Sequence, residues 1–207
     1  MKKKIVLGVL FILPVVVYLF FASGVNNFGR LPVLSENVSN VSTLDSHLQL
    51  KDKITILGFL GNNVGAKQGN AFNLNQKIYK RFGEFNDFQI VIVVPKGDEE
   101  QVIELKNELG KLSNVDKWHF AFGSDAEIKE LFNSLKSNID LDEELFTPNV
   151  FIIDKDLKLR GRTNDEDEGV KYGFDTSSVA ELNNKMVDDV KIILAEYRLA
   201  LKKNNAN

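Results

Sequence analysis

Consecutive hydrophobic positions along the chain predict strands that are covered on both faces of a sheet. Residues 54–60 form one such run and residues 88–94 a second, and both are rich in β-branched or aromatic side chains. A strand with one face in solvent alternates between hydrophobic and polar positions, whereas a strand buried on both faces does not. Further strands are predicted at residues 117–122, 149–153 and 157–161. Because only residues 154–156 separate the last two, they are predicted to form a β-hairpin.

Between these strands, hydrophobic residues recur every three or four positions, which predicts amphipathic helices. The stripes are Val102, Leu105, Leu109 and Leu112, then Ile128, Leu131, Phe132 and Leu135, and finally Val179, Leu182, Met186, Val190, Ile193 and Tyr197. Ser124 with Glu127, and Ser178 with Glu181, have the spacing of a capping box at a helix start. Residues 66–82 are also predicted to be helical, although a glycine and several Asn or Gln residues lower their helix propensity.

The order of these elements predicts an α/β fold. Strands that alternate with helices form parallel sheets with right-handed crossovers, and here such units are followed by a hairpin and a closing helix. An antiparallel hairpin at the end of such a sheet is the thioredoxin-like arrangement. We therefore predict a thioredoxin-like three-layer fold with a central mixed sheet over residues 44–203, including an extended C-terminal helix. Residues 24–43 are predicted to be a linker with a short strand near residues 30–34, and residues 204–207 a tail.

Residues 1–23 are predicted to anchor the chain in a membrane. Lys2, Lys3 and Lys4 precede an uncharged run over residues 5–22, which as a helix would be about 27 Å long, close to the thickness of a bilayer core. The alternative is a cleaved signal peptide, whose hydrophobic region is usually shorter. The lysines place the N-terminus in the cytoplasm, so the rest of the chain is exported. In a bacterium this means a single-pass inner-membrane protein whose domain faces the periplasm.

The composition excludes several classes of function. The chain has no cysteine, which excludes disulfides, thiolate metal sites and thiol–disulfide oxidoreductase activity. It has only two histidines, His47 and His119, so a His-rich metal site is excluded, and His119, in mid-strand, is expected to be structural. The net charge is −3, and without the three N-terminal lysines it is −6. A nucleic-acid partner is therefore not expected, because phosphate affinity depends on clustered Lys and Arg.

The loop that follows the first buried strand is the first candidate site. In an open α/β sheet, ligands bind at the carboxyl ends of the strands, and here that loop leads into a helix N-terminus, which favours an anion. The candidate residues of the loop are Gly61, Asn62, Asn63, Gly65 and Lys67. The alternative is a structural turn in which Asn and Gly supply left-handed conformations.

Two further segments are candidate sites. Thr147 and Pro148 directly precede a strand, and in thioredoxin-like proteins such a proline is cis and faces the active-site loop, so Pro148 is predicted to be cis; the alternative is an ordinary trans proline at a strand start. The acidic run of Asp165, Glu166, Asp167 and Glu168 is expected to be a solvated loop. The alternatives are a weak calcium site and an acidic docking patch for a basic partner.

The sequence resembles the Sco/SenC family, membrane-anchored thioredoxin-fold proteins that deliver copper during cytochrome c oxidase assembly. The resemblance covers about residues 29–200. It is strongest over residues 118–124, over residues 151–156 and at Arg160–Gly161. The family's Cys-x-x-x-Cys motif would fall within residues 61–69, and its distal copper-binding His a few residues before Ile152. Neither is present, so the resemblance implies the fold and not copper transfer, and no cofactor is expected.

These observations favour a non-catalytic, Sco-like domain without thiols that is held at the membrane. Its function would depend on contacts with a protein partner in the assembly of a respiratory or envelope complex. One alternative is an enzyme or anion-binding module with a non-thiol site at residues 61–69. The other is a calcium-dependent docking module at the acidic run, residues 165–168.

Overall fold

The consecutive hydrophobic runs form the middle of a mixed sheet. The strands are β1 Val33–Ser35, β2 Ile54–Leu60, β3 Phe88–Pro95, β4 Trp118–Gly123, β5 Phe146–Ile153, β6 Leu159–Arg160, β7 Arg162–Asp165, β8 Gly169–Lys171 and β9 Phe174–Asp175. The order across the sheet is β1–β6–β5–β2–β3–β4, and β9 pairs with β5. Strands β2, β3 and β4 are parallel, whereas β5 is antiparallel to both β2 and β6. This topology confirms the predicted hairpin and the thioredoxin-like arrangement of parallel strands followed by an antiparallel hairpin.

Four α-helices connect or close the strands in the described part of the chain, and a short 3-10 helix, Val41–Thr43, lies between β1 and β2. Helix α1 comprises Val64–Leu74, a π-helical turn Asn75–Tyr79 and Lys80–Phe82; α2 is Glu99–Leu112; α3 is Asp125–Ser134; α4 comprises Val179–Glu181, a π-helical turn Leu182–Met186 and Val187–Asn204. The capping box at Ser124 and Glu127 is complete. At the start of α4 only half of the box forms: Ser178 accepts from the N–H of Glu181, but the Glu181 carboxylate accepts from the N–H of Asp175.

The computed structural model describes residues 10–18 and 29–204 of the chain. Residues 10–18 are helical, whereas residues 5–9 and 19–22 of the predicted membrane segment, with the rest of the N-terminal region and residues 205–207, lie outside the described residues. Among the described helices, none is long and apolar enough to span a bilayer. The predicted anchor therefore stays a prediction.

Alternate side chains of the central strands enter two separate hydrophobic clusters, because successive residues of a strand point to opposite faces. On one face Ile56, Ile90 and Ile152 pack against α1, α2 and α4. On the other face Leu57 and Val91 pack against α3 and against the segment 38–50, which precedes β2. The result is the predicted three-layer arrangement. The short strand expected near residues 30–34 is β1, at Val33–Ser35, on the outer edge beside β6.

A buried ion cluster joins the hairpin, the C-terminal helix and the segment before β1. The guanidinium of Arg160 contacts the carboxylate of Asp154 at 2.9 Å and that of Glu196 at 2.6 Å, and its Nε donates to the carbonyl of Leu31 at 2.8 Å. Burial lowers the pKa of Arg160, but the two carboxylates outweigh burial and raise it. The cluster therefore holds three distant segments through one buried cation.

Candidate functional site

The loop after β2 turns sharply against the segment that enters β5. Gly61 has a left-handed φ of +60°, and a Cβ at this position would lie 2.2 Å from the carbonyl oxygen of Glu144. The N–H of Asn62 donates to that same carbonyl at 2.9 Å. Only glycine permits both this conformation and this approach. The loop is thus fixed directly on the backbone of residues 144–146.

The N–H groups at the start of α1 donate to side chains of the protein itself. The N–H of Asn63, which also has a left-handed φ of 59°, donates to the carboxylate of Asp98 at 3.1 Å. The N–H of Gly65 donates to the amide oxygen of Gln101 at 3.0 Å. An acceptor side chain therefore sits where an anion would bind to the free N–H groups of a helix.

Lys67 closes the loop from the other side. Its ammonium contacts the carboxylate of Glu144 at 2.6 Å and the carbonyl of Asn62 at 2.5 Å, and it lies 4.9 Å from the centre of the Phe146 ring. The Lys67 side chain is only 11% exposed. The alternative of an anion-binding module at this loop requires a pocket into which Lys67 and Asn63 point. Instead, the ammonium of Lys67 and the backbone N–H of Asn63 bind neighbouring groups of the chain, and the Asn63 residue is exposed.

The prediction that Pro148 is cis is wrong, since the described residues contain no cis peptide bond. Pro148 lies in β5, at a bulge where the pairing with β2 passes from Gly58↔Val150 to Phe59↔Thr147. Proline has no N–H for the ladder, and the bulge leaves it unpaired on that side. Its carbonyl accepts from both the N–H and the hydroxyl of Thr176, at 2.9 and 2.6 Å. With a trans peptide bond, Pro148 therefore fits into β5, and its carbonyl has hydrogen-bond partners.

The cavity enclosed between the loop, β5 and α1 is too small for a substrate. Thr147 and Thr176 line it together with side chains of β2 and α1, and its volume is about 10 Å³. That is room for about one water molecule. The carboxyl edge is therefore closed at the loop itself, whereas an open groove of about 620 Å³ lies beside it between α1 and α2, from Gly65 to Lys111.

The acidic run occupies the β7–β8 hairpin, and three of its carboxylates are neutralised by lysines. Lys185 of α4 binds Asp165 at 2.7 Å and Asp167 at 2.5 Å, and the buried Lys171 pairs with Glu168. In the part of the chain that the structure describes, no group of three or more potential ligands is placed to hold a metal ion. The acidic run was expected to be a solvated loop. Glu166, Asp167 and Glu168 are exposed, whereas Asp165 is buried.

Acid titration of Asp165 is a measurable consequence of this pairing. Burial raises the pKa of Asp165, but hydrogen bonds from Lys185 and from the backbone outweigh it and lower the pKa from 3.8 to about 2. A lowered carboxyl pKa stabilises the fold above about pH 4, and this stabilisation is lost as the pH falls towards 2. We expect Asp165→Asn to reduce the free energy of unfolding at pH 7 by about 2 kcal/mol, and most of the difference from the unsubstituted protein to be lost between pH 4 and pH 2.

Urea denaturation from pH 7 to pH 2, followed by the fluorescence of Trp118, tests this expectation. Trp118 is the single tryptophan and is fully buried. Burial raises the pKa of the neighbouring Asp189, and the charge of Asp165 adds a smaller increase. Asp165→Asn removes that increase, so the contribution of Asp189 to the difference is small but does not cancel. A stability difference that stays constant between pH 5 and pH 2 would contradict the assignment.

Both histidines lie at the opposite end of the sheet from the loop. His119 is half-buried in β4, and it lines an open cleft together with the exposed His47. His119 was expected to have a structural role, and the cleft that it lines was not predicted. Sequence spacing could not reveal it, because the two histidines are 72 positions apart and no motif links them.

No protein-family model and no curated protein matches this chain. Solved structures with similar chain traces include the soluble domain of Sco1 from Bacillus subtilis, with 17% identity, a TM-score of 0.43 and coverage of 78% of this chain and 94% of that one. Copper-bound ScoI from Arabidopsis thaliana has 19% identity, a TM-score of 0.42 and coverage of 69% and 86%. The thioredoxin domain of a thiol-disulfide oxidoreductase from Bacteroides vulgatus has 15% identity, a TM-score of 0.43 and coverage of 70% and 81%.

The residues at the carboxyl edge do not fit a copper ion. The chain supplies no thiol anywhere, and Cu(I) selects soft sulfur ligands. The ammonium of Lys67 lies in the loop, in contact with Glu144 and Asn62. Its positive charge would repel a metal cation at this place. The side chains of this edge are therefore arranged to bind one another.

Proposed function

We propose that this chain is a non-catalytic, thioredoxin-like docking domain without thiols, held at a membrane by residues 5–22, that serves the assembly of an envelope or respiratory complex. The proposal rests mainly on one observation. The loop in which a redox or copper-carrying protein of this fold would present sulfur is closed by the Lys67–Glu144 pair and by the contacts of Asp98 and Gln101.

The closed edge is the surface that we assign to the partner. Asn62, Asn63 and Glu143 are exposed there, whereas the backbone beneath them is fixed by hydrogen bonds to residues 98, 101 and 144. A loop that is already held in one conformation loses little conformational entropy on binding. The exposed amides and carboxylate offer a polar surface that suits reversible protein contacts.

Photo-crosslinking in native membranes tests the proposal. A photoreactive residue in place of Asn62 is expected to give one discrete adduct with a protein. The same residue in place of Lys129, which is exposed on α3, is the matched control and is expected to give none. No adduct from Asn62, or the same adducts from both positions, would contradict docking through the closed edge.

A further inference from the structure

We propose that a cleft at the amino ends of the central strands binds a phosphate group. The cleft has a volume of about 350 Å³ and includes His47, Lys53, Gln89, Lys117 and His119 in its lining. It lies at the opposite end of the sheet from the closed loop, so the inference is independent of the docking function. No carboxylate is among the residues that line it.

Along one face of the sheet, the side chains change from hydrophobic to polar towards the amino ends of the strands, where the cleft lies. Leu57, Val91 and Ala121 point into the core beneath α3. Two residues nearer the amino end of each strand, the same face carries Thr55, Gln89 and His119. The strand register places Thr55 directly beside Gln89. His119 is paired with Val91, so it lies diagonal to Gln89 on the same face. Lys53 and Lys117 continue the same alternation by two more residues.

Gln89 fixes the wall of the cleft. It is 5% exposed, and its amide nitrogen donates to the carbonyl of Gln49 at 3.0 Å and to the hydroxyl of Thr55 at 2.9 Å. These bonds attach the segment that carries His47 to β3 and to β2, and Lys53 directly precedes β2. His119 lies in β4, which pairs with β3, so both imidazoles belong to elements that are joined at this end of the sheet.

The positive charge of the cleft is not neutralised. Among the described residues, Lys53, Lys117 and both imidazoles have no carboxylate within ion-pair distance, although the ammonium of Lys117 donates to the carbonyl of Phe85 at 2.6 Å. Buried or half-buried lysines elsewhere in the described residues, such as Lys67, Lys171 and Lys185, are paired with acids. Two lysines without a carboxylate partner therefore share one concave place with two imidazoles, in a chain whose net charge is −3.

The ionisation of the lining residues supports the assignment. Burial, followed by the charge of Lys106, lowers the pKa of His119, while Asp45 raises it and Lys53 lowers it. Burial and then Lys53 lower the pKa of Lys117, against the opposing effect of Asp87 and Glu84. A bound anion would reverse these shifts, because it favours the charged forms.

The volume of the cleft and the hydrogen-bond donors that line it indicate which class of ligand it binds. A cleft of this volume holds a small anion and not a folded partner. Lysine and imidazolium N–H groups form charge-assisted hydrogen bonds with phosphate oxygens, and amide N–H groups can supply the remaining donors. Free phosphate and phosphomonoesters share this chemistry.

Proton NMR of the full chain in a non-ionic detergent provides the test, because the chain has only two histidines and hence two sets of imidazole signals. Addition of inorganic phosphate at pH 6.5, with chloride reduced to hold the ionic strength, is expected to move both sets saturably and to raise the pKa of His119. Lys53→Gln is expected to weaken phosphate binding about tenfold or more. Glycerol 3-phosphate in place of phosphate distinguishes a phosphomonoester ligand from the free anion.

Lys129→Gln, at an exposed lysine on α3, is the control and is expected to bind phosphate as the unsubstituted chain does. Unchanged fluorescence of the buried Trp118 verifies that each variant is folded. The proposal is overturned if neither imidazole responds to phosphate. It is also overturned if chloride at the same ionic strength produces the same changes, or if Lys53→Gln and Lys129→Gln bind equally well.

Discussion

Replacement of Asp154 with alanine is expected to lower the free energy of unfolding by about 3–5 kcal/mol, the range for removing one partner of a buried ion pair. The Asp154 side chain is 1% exposed. One carboxylate oxygen accepts from the N–H groups of Asp156 and Lys158, both at 2.9 Å, and the other binds Arg160 at 2.9 Å. The substitution therefore leaves two turn N–H groups without their acceptor and removes one of the two carboxylates from a guanidinium that is 4% exposed.

Asp156 provides a matched control within the same turn. It is exposed, and Asp156→Ala is expected to change stability by less than about 0.5 kcal/mol. Urea denaturation at pH 7, followed by the fluorescence of Trp118, measures both variants. Equal effects of the two substitutions would show that the ion cluster does not contribute to stability as the geometry implies.

Gly61→Ala is expected to destabilise the fold by about 3 kcal/mol, for two reasons that add. The left-handed conformation costs an L-residue about 1–2 kcal/mol. The new methyl would also lie 2.2 Å from the Glu144 carbonyl, so the backbone of residues 144–146 must move, at a further cost of about 1–3 kcal/mol. The same denaturation measurement detects this loss.

Gly69→Ala is the control for Gly61→Ala. Gly69 lies within α1, and a Cβ there would have no atom within 4 Å. Alanine at an open helical position is expected to stabilise the protein by about 0.5–1 kcal/mol. We therefore predict that Gly61→Ala lowers the free energy of unfolding and that Gly69→Ala raises it. If Gly61→Ala left the free energy of unfolding unchanged, the loop would not be fixed on residues 144–146.

Local patterns in the sequence were sufficient to predict the layers of the fold. The buried runs at residues 54–60 and 88–94, the capping box at Ser124 and the hairpin around residues 154–156 are all decided by residues close together in sequence. Hydrophobic periodicity and turn spacing report such local preferences directly.

The closure of the candidate site could not be read from the sequence, because it depends on pairs that are distant along the chain. Lys67 and Glu144 are 77 positions apart, and Asn63 and Asp98 are 35 apart. The left-handed turn at Gly61 and Asn63 could be predicted from the sequence, since Asn and Gly are typical of that conformation. The cis prediction for Pro148 failed because a bulge, which has no sequence signature here, accommodates the missing N–H.

Copper binding tests the central claim most directly, since the claim is that the closed carboxyl edge binds its own side chains and no metal. The full chain in detergent, titrated with Cu(I) against a chromophoric Cu(I) chelator and then analysed for metal after desalting, is predicted to retain much less than one copper per chain. The Lys67→Ala variant, which opens the edge without adding sulfur, is predicted to behave in the same way. Retention of one tightly bound copper per chain that is lost on substitution of residues 61–67 or 144–148 would contradict the account.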